Sequence, residues 1–283
     1  MDRVVYTNLN QREVSGVIRS LIRGRYLLLE LILKDLRARY RHTIMGILWA
    51  VLQPLLMMLI LTFVFRSFEG SLRPGAEGLA VPFALFLLAA LVPWQFTTTS
   101  LTRAAQCFIE NQELVKKVFF PRETIPLAAI GQAFVNGVIG LAVFFVIYFA
   151  MGQSLSWTFL WVPFIFAIHG AFVVGCAFLL SALNVIYRDI AYMLDVGLML
   201  GFYASPVFYS PEVVLREGTH PLFAVAYQAN PMVGLIGAYR DALIYHQPPV
   251  LSQLIWPMLV SGFVILAGVA VFRRTAPVFS DFV

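Results

Sequence analysis

Histidine is the side chain best suited to moving protons or holding a metal near neutral pH. The four here, His42, His169, His220 and His246, are scattered, and no two stand four apart. No H-E-x-x-H run exists, so a zinc protease has no support. No G-x-S-x-G elbow marks a serine hydrolase. No G-x-x-x-x-G-K-S/T loop is present either: the lysines are Lys34, Lys116 and Lys117, and none follows a glycine. If ATP drives this protein, another chain must bind the nucleotide and its magnesium. No catalytic residue and no metal site is assigned, and no cofactor is expected in this chain. The two cysteines, Cys107 and Cys176, are far apart, one in an expected cytoplasmic loop and one inside an apolar run, so a disulfide is not expected.

Two other residue classes remain. Ionisable residues inside apolar runs are functional candidates by default. His169 and Asp195 qualify, although His169 reads best as a hydrogen-bonded interior residue and Asp195 as lying near the inner interface. The larger class is aromatic: 25 Phe, 11 Tyr and 5 Trp. Interfacial belts use Trp and Tyr and cores use Phe, so most need no further role. Two clusters, Phe144, Phe145, Tyr148 and Phe149, and Phe202, Tyr203, Phe208 and Tyr209, are candidates to line a conduit. Aromatic faces stack on the C–H faces of sugars and permit sliding, because they impose few directional hydrogen bonds.

The elements that would position these residues follow from composition. The chain has 283 residues, 60% hydrophobic and 12% charged, whereas soluble domains are about 45–50% apolar and about 25% charged. Apolar blocks long enough to cross a bilayer, about 20 residues each, recur six times. The expected spans are 44–65, 81–102, 124–150, 158–182, 191–210 and 251–272, with residues 1–43 and 273–283 outside them. No signal peptide is visible before the first block. Residues 1–43 carry nine Lys and Arg, and loop 103–123 carries Arg103, Lys116, Lys117 and Arg122. Arg188, Arg273 and Arg274 bring that side to sixteen, against Arg66, Arg73, Arg216 and Arg240 on the other. The positive-inside rule places the sixteen, and both termini, in the cytoplasm. The net charge of +5 is explained by this bias rather than by nucleic-acid binding.

Two further segments stand out. Over 24–42, Leu28, Leu31, Ile32, Leu36 and Tyr40 recur at helical spacing, with Arg37 and Arg41 on another face and Asp35 able to pair with Arg39. This is an amphipathic helix along the inner membrane surface or a solvated basic lead-in. Within 211–250, Asn230-Pro231 marks a helix start, with Asn as cap and Pro in the first turn. The helix that follows, Pro231–Tyr245, is too short and too charged to span. It is re-entrant or interfacial, or else a surface helix on an outer loop.

Taken in order, several motifs resemble one family. They are Leu33-Lys34-Asp35-Leu36-Arg37-Ala38-Arg39-Tyr40-Arg41, Gly46-Ile47-Leu48-Trp49 with Gln53-Pro54, and Lys116-Lys117-Val118-Phe119-Phe120-Pro121-Arg122-Glu123 with Pro126. Tyr187-Arg188-Asp189, Ser205-Pro206-Val207 with Tyr209, and Asn230-Pro231 with Tyr239-Arg240-Asp241 complete the set. The set resembles the permease subunit of type-2 ABC (ABC-2) exporters for cell-surface polysaccharides, the O-antigen and teichoic-acid group. The resemblance implies an all-α integral membrane protein with six transmembrane helices, an N-terminal amphipathic interface helix and re-entrant outer helices between spans five and six. It also implies a homodimer bound to two copies of an ABC ATP-binding subunit in the bacterial inner membrane, with a lipid-linked glycan as substrate. ATPase coupling falls to Asn111, Glu113, Lys116, Lys117, Arg122, Arg188 and Asp189. Arg37, Arg39 and Arg41 are candidates for the lipid head, or equally for ordinary anionic lipid or the ATPase. A permease for a drug or another lipid, and a non-transporting membrane scaffold, are the alternatives.

Cysteines introduced at Gly78 and Pro248 are expected to react with an impermeant thiol reagent added outside intact cells. Those at Asn111 and Ala276 should react only after the cells are opened. Outside labelling at Asn111 would overturn the six-span topology.

Overall fold

The computed structural model describes residues 25–37, 46, 48–68, 82–117, 120–216 and 218–282. All regular structure among the described residues is helical. In chain order the helices are α1 (25–37), α2 (Leu48–Phe65), α3 (Phe83–Glu110), α4 (Gln112–Lys117), α5 (Thr124–Ala150) and α6 (Val162–Ile186). They continue with α7 (Ile190–Ala204), α8 (Pro221–Ala229), α9 (Pro231–Leu243), α10 (Leu251–Thr275) and α11 (Phe279–Phe282). Short 3₁₀ turns extend α2 at Arg66–Phe68, precede α6 at Trp157–Trp161 and follow α10 at Ala276–Val278.

Five of these units, built on α2, α3, α5, α6 and α10, are long and apolar enough to cross a membrane. Six crossings were expected. The missing one falls on 191–210, where α7 is an apolar helix of only 15 residues. Its rise is about 22 Å, short of the ~30 Å hydrocarbon thickness. The cause is Pro206. A proline disfavours helical geometry at the residue before it, and Ser205 is accordingly extended, at φ −110 and ψ 149. Residues 205–210 then continue without helical structure.

Helix α3 is the axis of the fold. In its most apolar stretch 78% of the residues are buried, against 17–44% in the other four long helices. Leu85 to Ala90 are sealed almost completely. It packs most heavily on α5 and α6, and also on α2, α7 and α9. One large apolar cluster joins its first half to Met58, Phe144, Ile165, Leu235 and Tyr239. A second, around Cys107, Phe108, Phe178, Phe272 and Phe279, closes the other end. Both cysteines are free thiols.

The closest helix pair is α6 with α10. Gly175 and Gly268 bring the two backbones together, as small residues do in membrane helices. A Cβ on Gly175 would lie 2.5 Å from the Ile265 nitrogen, and one on Gly268 would strike the Gly175 carbonyl oxygen. Gly268→Leu is therefore expected to destabilise the protein by about 3 kcal/mol or more, because neither backbone can retreat. Thermal unfolding of the detergent-purified variant measures this, and a wild-type midpoint would contradict the close α6–α10 packing.

Candidate functional site

The two ends of the bundle differ. At one end α1 lies against α3 and α5. The Lys34 Nζ donates to the Asn111 Oδ1 at 2.8 Å, and Ile32 fills the space beside Gly131. Leu28, Leu31, Ile32 and Leu36 face inward and Arg37 is exposed. Burial raises the Asp35 carboxyl above its ordinary range, against the opposing pull of Lys34 and Arg103. Arg39, Tyr40 and Arg41, with the expected Asp35–Arg39 pair, lie outside the described residues.

The same end collects most of the coupling candidates. Asn111 closes α3, its Nδ2 donating to the Cys107 carbonyl at 2.8 Å. Glu113 and Lys116 are exposed on α4, and Lys117 ends it. The Arg122 guanidinium lies 6.0 Å from the Phe279 ring centre. Arg188 and Asp189 form the exposed turn between α6 and α7. Asn184 ties that turn to α3, its Nδ2 donating to the Ala105 carbonyl at 2.8 Å while its Oδ1 accepts from the Ala191 N–H at 3.0 Å. Arg273 and Arg274 end α10 here as well.

At the opposite end the chain between α7 and α10 folds back on the bundle. The Asn230 side chain accepts from the Met232 N–H at 3.0 Å and Pro231 follows it, so α9 starts as the Asn-Pro pair requires. Helix α9 is buried on nearly all sides, and α8 is exposed along most of its length. A surface helix on an outer loop does not describe α9.

Arg240, on α9, is 2% exposed. Its guanidinium donates to the Val207 carbonyl at 2.8 Å, the Tyr209 carbonyl at 2.9 Å and the Phe86 carbonyl at 3.4 Å. It also sits 3.5 Å from the centre of the Phe86 ring. One planar fork thus supplies donors to the non-helical stretch after Pro206, whose carbonyls have lost their helical partners. In the sequence Arg240 stood out as an outer-side charge on a short helix and as part of the Tyr239-Arg240-Asp241 motif, with no role assigned to it. The signal for its role was Ser205-Pro206, which guarantees orphan carbonyls inside an apolar run.

The aromatic candidates separate into two groups, and among the described residues no ring contact joins them. Phe144 and Tyr148 are fully buried within the protomer. The Tyr148 hydroxyl donates to the Ser154 carbonyl at 2.9 Å and lies 2.7 Å from His246 Nε2. Phe144 borders an apolar cavity of about 180 Å³ with Val92, Phe96 and Phe134. Phe145 stacks on Phe149, which is exposed. In the second group Phe202 packs on Trp94 and Phe208, Phe208 stacks on Phe65, and Tyr209 is buried beside Tyr227. Tyr203 alone of the eight is more than half exposed, at 62%. Phe202 lies on α7, whereas Tyr209 lies in the non-helical stretch beyond it. Because α7 ends at Ala204, the two share no helical face.

His169 is a satisfied interior residue, as its position inside an apolar run implied. Its Nε2 lies 2.7 Å from Thr97 Oγ1, its Nδ1 3.4 Å from the Tyr239 hydroxyl, and Thr97 donates to the Pro93 carbonyl. A proton on Nε2 satisfies every contact. Asp195 is exposed on α7, on a face that also shows Tyr192, Met199 and Tyr203.

These features define a multi-pass α-helical membrane protein with a basic end and an end capped by in-folded helices. Comparison narrows the class: residues 26–244 match the ABC-2 type transporter family, and the chain belongs to it. It is 30% identical over 246 residues to the O-antigen export system permease protein RfbA of Klebsiella pneumoniae, covering 85% of this chain and 88% of that one. A Myxococcus xanthus protein of the same name is 28% identical over 265 residues, 94% of this chain and 98% of the relative. A second Klebsiella pneumoniae protein of that name is 32% identical over 212 residues, 74% of this chain and 76% of the relative.

Arg240→Lys keeps the charge but replaces a fork with a point, so it cannot serve the separate carbonyls together. It is expected to lower stability by about 3 kcal/mol, the scale of charged hydrogen bonds lost at buried groups. Chemical denaturation of the purified chain checks this. Wild-type stability in both Arg240→Lys and Arg240→Met would remove the proposed support of 205–210.

Proposed function

We propose that this chain is the permease subunit of an ATP-driven exporter that carries a lipid-linked polysaccharide of the O-antigen type across the bacterial cytoplasmic membrane. The observation that carries this reading is the alignment of relatives named as O-antigen export permeases with 74%, 85% and 94% of the chain. The basic end faces the cytoplasm with both termini, and α1 is the interface helix there. The sixth crossing is made by α7 together with residues 205–210, and α8 and α9 are the re-entrant helices of the outer side.

Two copies of the chain meet through α2 and α7. Both helices leave wide apolar faces uncovered, with Phe63 87% and Tyr192 73% exposed. Hydrocarbon would tolerate those residues but not Asp195 in their midst. A second copy, with a hydrated path between the two, accommodates both the apolar residues and the carboxylate. Tyr203 and Tyr192 then line the conduit, while Phe144 and Tyr148 hold the protomer together.

Two ATP-binding subunits, carrying the ATP and magnesium, dock against α4 and the Arg188–Asp189 turn. Their closure moves α4. The motion reaches α3 through Asn111 and α1 through the Lys34–Asn111 bond. Arg37, with Arg39 and Arg41, meets the phosphate-bearing lipid head at the inner leaflet.

Co-purification with an ATP-binding subunit, together with surface glycan per folded complex, tests the reading. Tyr203→Ala is expected to reduce export several-fold in a complex that assembles normally, whereas Phe144→Ala should lower stability by about 3–4 kcal/mol. Unchanged export in Tyr203→Ala would remove α7 from the conduit. An intact complex that neither exports glycan nor lets it accumulate inside when deleted would end the exporter assignment.

A further inference from the structure

A cleft of about 670 Å³ opens between the 3₁₀ turn Pro211–Val213, α8, α9 and the start of α10. Its size suits a small-molecule or oligosaccharide ligand rather than a single ion. The chemistry of its wall is mixed. Trp256 supplies an aromatic plane, Gln228 and Gln253 supply amides, Ser252 a hydroxyl and Glu212 a carboxylate, and among the described residues no lysine or arginine lines it.

The wall is also held in place. The Trp256 indole N–H donates to the Ala229 carbonyl at 2.8 Å, which fixes the ring between α8 and α10. Trp256 nevertheless keeps 46% of its surface exposed. Helices α9 and α10 press together beneath it. A Cβ on Gly234 would lie 2.5 Å from the Gln253 carbonyl oxygen and 2.9 Å from Pro257 Cγ, so that floor admits no side chain. Pro257 lacks the N–H that would otherwise pair with this Gln253 carbonyl. The Ser210 hydroxyl donates to Glu212, which turns that carboxylate toward a defined partner.

We propose that this cleft binds pyranose units of the glycan as they leave the membrane. A ring fixed at one edge offers its face to sugar C–H groups, and amides with a carboxylate take up hydroxyl donors and acceptors in pairs. Glu212 in a lining without Lys or Arg among the described residues disfavours a phosphate-bearing lipid headgroup as the natural occupant. The site is separate from every conduit candidate. It rests on the exporter reading for the identity of its ligand.

The probe is a set of neutral oligosaccharides of a few units, released by mild acid from the surface polysaccharide made by the producing cell. Saturation-transfer NMR with the permease–ATPase complex in nanodiscs reads binding. The wild-type complex is expected to transfer saturation to the sugar C–H protons, and glycerol phosphate should not compete. Trp256→Ala should weaken binding by about tenfold or more, a loss of one stacking contact, and Trp256→Phe should restore most of it. Gln228→Ala with Gln253→Ala should weaken binding while leaving the folded yield unchanged. No saturation transfer to the wild-type complex, in cells whose surface glycan depends on that complex, overturns the cleft and leaves the exporter reading standing. Equal binding by all variants, or displacement by glycerol phosphate, also overturns it. Loss of the exporter reading would show separately, as surface glycan that persists without the complex.

Discussion

A backbone amide in hydrocarbon must find its partner within the protein. The end of this molecule that carries α8 and α9 is shaped by how that demand is met after Pro206. The helix cannot continue through Ser205, so the carbonyls of 205–210 lose their helical donors. Arg240 provides N–H groups from another helix to two of them, Val207 and Tyr209, and its charge lies 3.5 Å from the centre of the Phe86 ring. To bring that guanidinium into place, α9 must be buried rather than laid on the surface. For α9 to be buried, the chain must turn sharply at Asn230-Pro231, and α8 must stay outside. A single proline thus dictates the topology of about forty residues downstream.

The opposite end is organised by side chains that join helices rather than by a break in one. Asn111 stops α3 and accepts from Lys34. Asn184 holds the α6–α7 turn against α3. Phe108, Phe272 and Phe279 pack their rings at mutual angles that fill the space between α3, α10 and α11. The result is a basic face whose parts are joined by side chains to the central helix.

The long helices were legible because hydrocarbon thickness demands about twenty apolar residues in a row, and the α9 start was legible because Asn and Pro have separate reasons to sit there. The inner face of α1 was legible from Leu28, Leu31, Ile32 and Leu36, whose spacing alone selects one side. The break in α7 was missed, although Pro206 was in view, because the residues after it stay apolar and hydropathy does not register backbone geometry. The covering of Phe144 and Tyr148 could not be read at all. A helix apolar on every side gives no sign of which face meets protein and which meets lipid, so Tyr203 and Phe144 looked alike until their neighbours were known.

The centrality of α3 has a consequence for how the protein is made. Of the five long helices it is the least apolar. It carries Thr97, Thr98, Thr99, Ser100 and Arg103, and its side chains are matched to protein rather than to lipid. When α3 leaves the ribosome, α5, α6 and α9, which supply most of its cover, have not been synthesised. It is long and apolar enough to cross, yet of the five it gains most from the later helices that cover it. The order in which this chain is synthesised is therefore not the order in which its helices gain their full protein cover, and α3, made second among the five long helices, is completed by helices made after it.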